Sequence, residues 1–158
     1  MRTSPPESDP GAEPSGFDVE GEHQIPKFGE NCWIYARISN REAEPSYDAW
    51  VRFYVASKSA NDFQFPADWD EMTGSDSIED AGTFFIDEIG LDRIDGGDNR
   101  IVRLPWPSAL IPPENKSDGE PWNPHILVEI NPLDGPLEGT TVRDNNNLAQ
   151  KSVTIDYS

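Results

Sequence analysis

The sequence predicts an all-β chain of antiparallel strands, a sandwich or a barrel, and three observations carry that expectation. Short apolar runs alternate with polar residues at period two, as in strands with one covered face. Fifteen prolines and twelve glycines fall mostly between these runs, where they end strands and turn the chain. No segment sustains a 3.6-residue apolar spacing bounded by helix caps. A chain of 158 residues fits one domain, with some length left for a tail or long loops. A domain of that size buries roughly two thirds of its unfolded surface, enough for a core without metals or disulfides.

Taken in order, residues 1–16 contain Pro, Ser, Glu and Gly but almost no large apolar side chains, so they read as an extended tail, and 1–28 as tail plus lead-in. The β module is expected over 29–158. Cys32 to Ile38 forms the first strand, with Ile34, Ala36 and Ile38 on one face and Trp33, Tyr35 and Arg37 on the other. Ser39 to Ser46 turns the chain. Ala49 to Val55 follows, with Val51, Phe53 and Val55 opposite Trp50, Arg52 and Tyr54. Phe63, Phe65, Pro66 and Trp69 punctuate a polar loop that becomes acidic over 70–82. Thr83 to Ile89 is strand-like, and Asp95-Gly96-Gly97-Asp98 supplies a turn. Arg100 to Trp106 is a strand stopped by prolines, and a long polar loop runs on to Asn123. His125 to Ile130 is nearly all apolar, which suits a central strand. Leu148 to Tyr157 ends the chain, with Val153 and Ile155 alternating against Thr154 and Asp156.

Charge narrows the partners. Thirty acidic residues against 12 basic ones leave a formal charge of −18. Nucleic-acid affinity comes from neutralising phosphates with Lys and Arg, so that partner is disfavoured. An anionic membrane surface is disfavoured for the same reason. The acidic residues are spread along the chain and only four lysines occur, a dispersed pattern that points to adaptation to concentrated salt. No stretch reaches the ~20 apolar residues of a membrane helix. Met1 to Gly16 lacks the apolar segment of a secretory signal, so the expectation is a soluble protein of a halophile's cytoplasm or of a released particle. The single cysteine, Cys32, forms no internal disulfide and, beside Trp33 and Ile34, reads as a small buried residue.

Three segments together carry a family resemblance. They are Trp33-Ile34-Tyr35-Ala36-Arg37-Ile38-Ser39-Asn40, Val51-Arg52-Phe53-Tyr54, and Asp144-Asn145-Asn146-Asn147-Leu148-Ala149 running on to Val153-Thr154-Ile155. This set resembles the cell-adhesion-related (CARDB) β-sandwich modules of bacteria and archaea. Those modules open on a strand of the form N-x-x-Y-A-x-V-x-N-x-G, continue through V-x-F-Y and close on D-N-N-x-A-x-x-x-V-x-V. The resemblance covers about residues 29–157. It departs from the pattern after the first strand, where Arg41-Glu42-Ala43 stand in place of the usual Gly, and in the longer acidic middle. It implies an antiparallel two-layer immunoglobulin-like sandwich that serves as an interaction or spacer domain. The asparagines fit that frame, because a side-chain amide at a strand end bonds to nearby backbone.

Chemistry is sparse. His23 lies in the polar lead-in and His125 opens the most apolar strand; no nucleophile elbow, zinc signature or phosphate loop is present. The candidate for an ion is calcium at Asp92, Asp95, Asp98 and Asn99, which cluster around Gly96-Gly97 without the EF-hand spacing. Asp76, Glu79 and Asp80 form a second acidic group. The candidates for a contact surface are aromatic: Trp33, Tyr35, Trp50 and Tyr54 on the faces opposite the inferred core, and Trp69 and Trp122 in or beside loops. The expected role is a non-catalytic structural or adhesive module held by other protein subunits in a virus-like particle, tail or surface structure. A carbohydrate-binding module is the alternative, and a hydrolase using acidic residues a third.

Overall fold

The computed structural model describes residues 24–57, 83–131 and 147–158. The chain is all-β, with two antiparallel sheets, as the sequence predicts. Among the described residues there are six strands, β1 (Cys32–Ser39), β2 (Ser46–Ala56), β3 (Thr83–Ile94), β4 (Asn99–Trp106), β5 (His125–Asn131) and β6 (Leu148–Ser152). β1 and β4 form a two-stranded sheet, and the other four are ordered β3-β2-β5-β6. The chain divides into two compact units built from interleaved segments. The first comprises Met1–Tyr47, Asp92–Ile111 and Thr154–Ser158; the second comprises Asp48–Leu91 and Pro112–Val153. Residues 1–16, Trp69, the acidic group at Asp76, Glu79 and Asp80, Asn145 and Asn146 lie outside the described residues.

In the first unit β1 and β4 run antiparallel, with Cys32 opposite Trp106, Ile34 opposite Leu104 and Ala36 opposite Val102. These positions bury one face through Cys32, Ile34 and Ile38 from β1 and Val102, Leu104 and Trp106 from β4. Pro105 is tolerated near the end of β4 because alternate residues of an edge strand direct the N–H position away from the partner. Trp106 is 0% exposed, and its indole N–H donates to the Leu110 carbonyl at 2.9 Å. That carbonyl belongs to a 3₁₀ turn over Ser108–Leu110.

Cys32 is buried, as expected, and burial pushes its thiol up to about 11. At pH 8 roughly one molecule in a thousand carries the reactive thiolate. A thiol reagent is therefore expected to leave Cys32 untouched in the native protein and to modify it fully in denaturant. Stoichiometric reaction of the native protein within minutes would contradict that placement.

One asparagine organises the turn between β3 and β4. The Asn40 side-chain amide donates to the carbonyls of Glu44 (2.8 Å) and Ile94 (3.1 Å), and its Oδ1 accepts from the Glu42 N–H (3.0 Å). Its backbone bonds to Gly97 and Asp98. Gly97 takes φ 74°, a conformation glycine adopts without penalty. Gly96 packs so closely that an added Cβ would sit 2.1 Å from the Ala43 carbonyl oxygen. The role expected of Asn40 at a strand end is thus what the structure shows. Asn40→Ala leaves two carbonyls and one N–H without these partners and is expected to cost about 1–2 kcal/mol in denaturant unfolding. A change within about 0.3 kcal/mol would mean that water replaces the amide at no net cost.

The lead-in is not all tail. Pro26 is buried, the Asp156 N–H donates to Pro26 O, and the Phe28 N–H donates to Asp156 O, forming a parallel bridge between Lys27 and Asp156. The Phe28 and Tyr157 rings meet beside it in a tilted contact, with centroids 5.7 Å apart. The last strand is correspondingly shorter than expected. β6 stops at Ser152, and although burial still alternates through Val153 and Ile155, the backbone leaves β5. Val153 bonds to Pro124 and Asp156 to Pro26.

In the second unit β5 is central, flanked by β2 and β6, as its apolar sequence predicts. Val51, Phe53 and Val55 are fully buried on one face of β2, and their partners on β5 are Ile130, Val128 and Ile126. β2 starts three residues before the apolar run. Asp48, with φ 52°, interrupts the alternation there, so only Ala49 onward looks like a strand in sequence. β3 is also longer than expected and runs on through Ile94. The loop before β5 contains a tight turn. Lys116 and Gly119 close it by backbone bonds, Asn115 bridges to Pro121, and the Trp122 N–H donates to Glu114 O.

Candidate interaction surface

The face of the β1–β4 sheet opposite its buried side carries Trp33, Tyr35 and Arg37 from β1 and Ile101, Arg103 and Pro105 from β4. The register sets them as direct pairs: Trp33 with Pro105, Tyr35 with Arg103, Arg37 with Ile101. Trp33, Tyr35, Ile101 and Arg103 are half-buried, while Arg37 and Pro105 are exposed. An aromatic paired with an arginine is a favourable cross-strand neighbour, and Trp, Tyr and Arg are the residues enriched where proteins bind proteins. Neither strand contains an acidic residue, although the chain has thirty.

A second aromatic feature lies in the four-stranded sheet. Trp50 is 46% exposed, and its indole lies on Gly90 of β3, where a Cβ would come within 3.3 Å of the ring. Glycine at that position gives the indole a flat seat against backbone. Phe85 is also exposed, with its ring 5.5 Å from that of Tyr54. Tyr47, at the start of β2, is exposed and stacks with the Arg93 guanidinium at 5.6 Å.

Two of the expected contact residues are corrected by their burial. Tyr54 is 8% exposed because its hydroxyl turns inward to donate to Glu129 Oε2 at 3.0 Å. Trp122 is 7% exposed because the turn at Lys116–Gly119 folds the Pro-rich loop back, with Lys116 Nζ 5.7 Å from its ring centre. Trp33, Tyr35 and Trp50 remain at the surface.

Sequence reasoning overlooked Glu129, which reads as a single polar interruption of an apolar strand. It is 3% exposed and stands opposite Arg52 across the β2–β5 ladder. Arg52 Nη1 lies 3.9 Å from Glu129 Oε2, and Arg52 Nε donates to Glu88 Oε2 at 2.8 Å. Desolvation raises the pKa of Glu129, opposed by the Tyr54 hydrogen bond and the Arg52 charge. Burial and the Glu129 charge together raise the Tyr54 phenol. Perturbed acids of this kind mark reaction centres in some proteins. Here both groups are under a tenth exposed and satisfy each other within the sheet, so they act as a polar tie between β2 and β5.

The candidate calcium ligands do not assemble. Asp92, Asp95, Asp98 and Asn99 are all exposed. Asp95 Oδ1 accepts from Arg93 Nε at 2.6 Å, and Asp98 Oδ1 accepts from the Asn99 N–H at 2.8 Å. Among the described residues no three His, Cys, Asp or Glu side chains converge as metal ligands. The turn is drawn together by Asn40 where a cation was expected. His125 Nδ1 contacts the Asn123 carbonyl at 2.8 Å, a local bond at the opening of β5. Among the described residues no helix is long and apolar enough to cross a membrane. No protein-family model and no curated protein matches the chain.

Proposed function

We propose that this chain is a non-catalytic contact module, an immunoglobulin-like sandwich of the CARDB kind, that binds other protein subunits in a larger assembly of a halophilic organism. The observation that carries this reading is the outward β1–β4 face, where Trp33 and Tyr35 stand among Arg37 and Arg103 with no acidic residue in either strand. Rigid aromatics lose little conformational entropy on docking, and guanidinium groups bind planar carboxylates through paired hydrogen bonds. The formal charge of −18 supports the salt-adapted setting, and melting is expected to shift upward between about 0.1 M and 3 M KCl as self-repulsion is screened.

The test is photo-crosslinking in the source cells with Tyr35→p-benzoylphenylalanine, using the same group at exposed Asp118 as control. A discrete adduct with another polypeptide chain, formed from position 35 and absent from position 118, supports the reading. Equal or no adduct formation at both positions overturns it.

Carbohydrate binding is the second reading, favoured by the exposed Trp50 indole on Gly90. A sugar ring laid on that indole would quench tryptophan fluorescence, and Trp50→Ala would abolish the response. Quenching that survives the substitution removes this reading.

A further inference from the structure

We propose that Asn115 is the acceptor of an N-linked glycan, in the sequon Asn115-Lys116-Ser117 on the turn before β5. The inference goes beyond the protein-contact reading and does not depend on it.

The first observation lies in the sequence. Glycan transfer to asparagine needs a Ser or Thr two places on and any residue but proline between, because the transferase holds that hydroxyl while the carboxamide reacts. Of the chain's ten asparagines, Asn115 alone meets this requirement. Asn123 and Asn131 are each followed by proline, and Asn145, Asn146 and Asn147 have Asn, Leu and Ala two places on.

The second observation is where the fold puts that residue. The Lys116 N–H donates to Glu120 O at 2.8 Å, the Gly119 N–H to Lys116 O at 2.9 Å, and the Trp122 N–H to Glu114 O at 3.1 Å. Gly119, at φ 83°, lets the chain reverse. Asn115 bridges to Pro121 across the turn, and both are exposed, as is Ser117. Trp122, the next residue after Pro121, is buried and anchors the base of the turn. Successive residues of such a ladder point to opposite sides, so the indole packs inward and the Asn115 carboxamide faces water. A sugar chain there displaces no packed group. Other asparagines are engaged in the fold: Asn40 spends its amide on three backbone bonds, and Asn31 Oδ1 accepts from the Ser108 N–H.

The donor is an oligosaccharide carried on a lipid phosphate. Asn115 Nδ2 bonds to the anomeric carbon of the first sugar while the bond from that carbon to the phosphate oxygen breaks. The lipid phosphate leaves with the electron pair, one amide proton passes to a base, and nothing is oxidised or reduced. Such transfer belongs to chains that leave the cytoplasm, so the modification would also place this turn on the outer side of a membrane.

Mass spectrometry of the chain purified from its source cells tests the proposal. The intact mass is expected to exceed that of the polypeptide by whole sugar residues, with fragmentation placing the addition on Asn115. N115Q and S117A are each expected to lose the addition completely, whereas S117T, which keeps the hydroxyl, is expected to retain it. If S117A melts lower than wild type, N115Q and S117T at these exposed positions carry the comparison.

A chain from the source cells with the mass of the polypeptide alone overturns the proposal. So does an addition that persists in N115Q, or one lost as fully in S117T as in S117A. Photo-adducts from position 35 are scored separately. Adducts on a sugar-free chain remove this inference and leave the protein-contact reading standing, and a glycosylated chain without adducts does the reverse.

Discussion

Trp106→Ala is expected to destabilise the protein by about 3–5 kcal/mol, the range for deleting a large aromatic from a packed interior. The residue is fully buried opposite Cys32, at the end of β4, with Leu104, Val102 and Ile34 on the same face. Substitution removes the apolar area and leaves a cavity that this short two-stranded ladder is poorly placed to collapse. It also strands the Leu110 carbonyl that accepts the indole N–H. Trp106→Phe separates the two effects. Phenylalanine keeps most of the volume and loses the bond, so a cost of about 1–2 kcal/mol is expected. Denaturant midpoints at one fixed salt concentration make the comparison, because salt alone shifts the stability of so acidic a chain. Equal losses for Phe and Ala would show that the hydrogen bond, not packing, is what Trp106 contributes.

Tyr54→Phe carries the second large effect, about 2–3 kcal/mol near pH 8. The change deletes one oxygen and no apolar area, yet it takes the hydroxyl donor from the buried Glu129 carboxylate and leaves the Arg52 guanidinium 3.9 Å away. The pH dependence identifies the cause. Desolvation holds the Glu129 pKa above its unfolded value, so the folded protein binds this proton more tightly than the unfolded chain does. The associated stability is fully present below the unfolded pKa of about 4.5 and is lost as pH rises through the raised folded one. The hydroxyl supports the charged form, so the Tyr54→Phe deficit is expected to be greatest above that folded pKa and to shrink as the carboxyl protonates. Glu129→Gln removes the titration, and its stability relative to wild type is expected to improve as pH rises through the same window. A Tyr54→Phe deficit that stays constant from pH 4 to pH 8 would assign the loss to packing.

What could be read in advance follows from where the information resides. β1 and the start of the apolar run in β2 announce themselves because buried residues recur every second position, and β5 because it is almost wholly apolar. β3 was only half visible because Ile89-Gly90-Leu91-Asp92-Arg93 does not alternate. Gly90 serves there as the seat of an indole from another strand, a fact of register that composition does not contain. Glu129 escaped for the same reason. A carboxylate in a strand normally faces water, and only its pairing with Arg52 across the ladder and with the Tyr54 hydroxyl makes burial tolerable. Trp122 was misplaced by a four-residue turn, since a polar loop rich in proline gives no sign of folding back. For the contact surface, Trp33 and Tyr35 were legible from alternation alone. The absence of acidic residues from β1 and β4 became meaningful once their register put both strands on one face.

The bridge between Lys27 and Asp156 has a consequence for biosynthesis. Two positions far apart in the sequence must meet before Pro26, Asp156 and Phe28 exchange their backbone bonds. A ribosome delivers Asp156 well after Lys27, so this seam closes only once both have emerged from the exit tunnel. Cleavage or a bulky insertion at Tyr157–Ser158 would strike a contact that also anchors Pro26 and Phe28, residues synthesised much earlier.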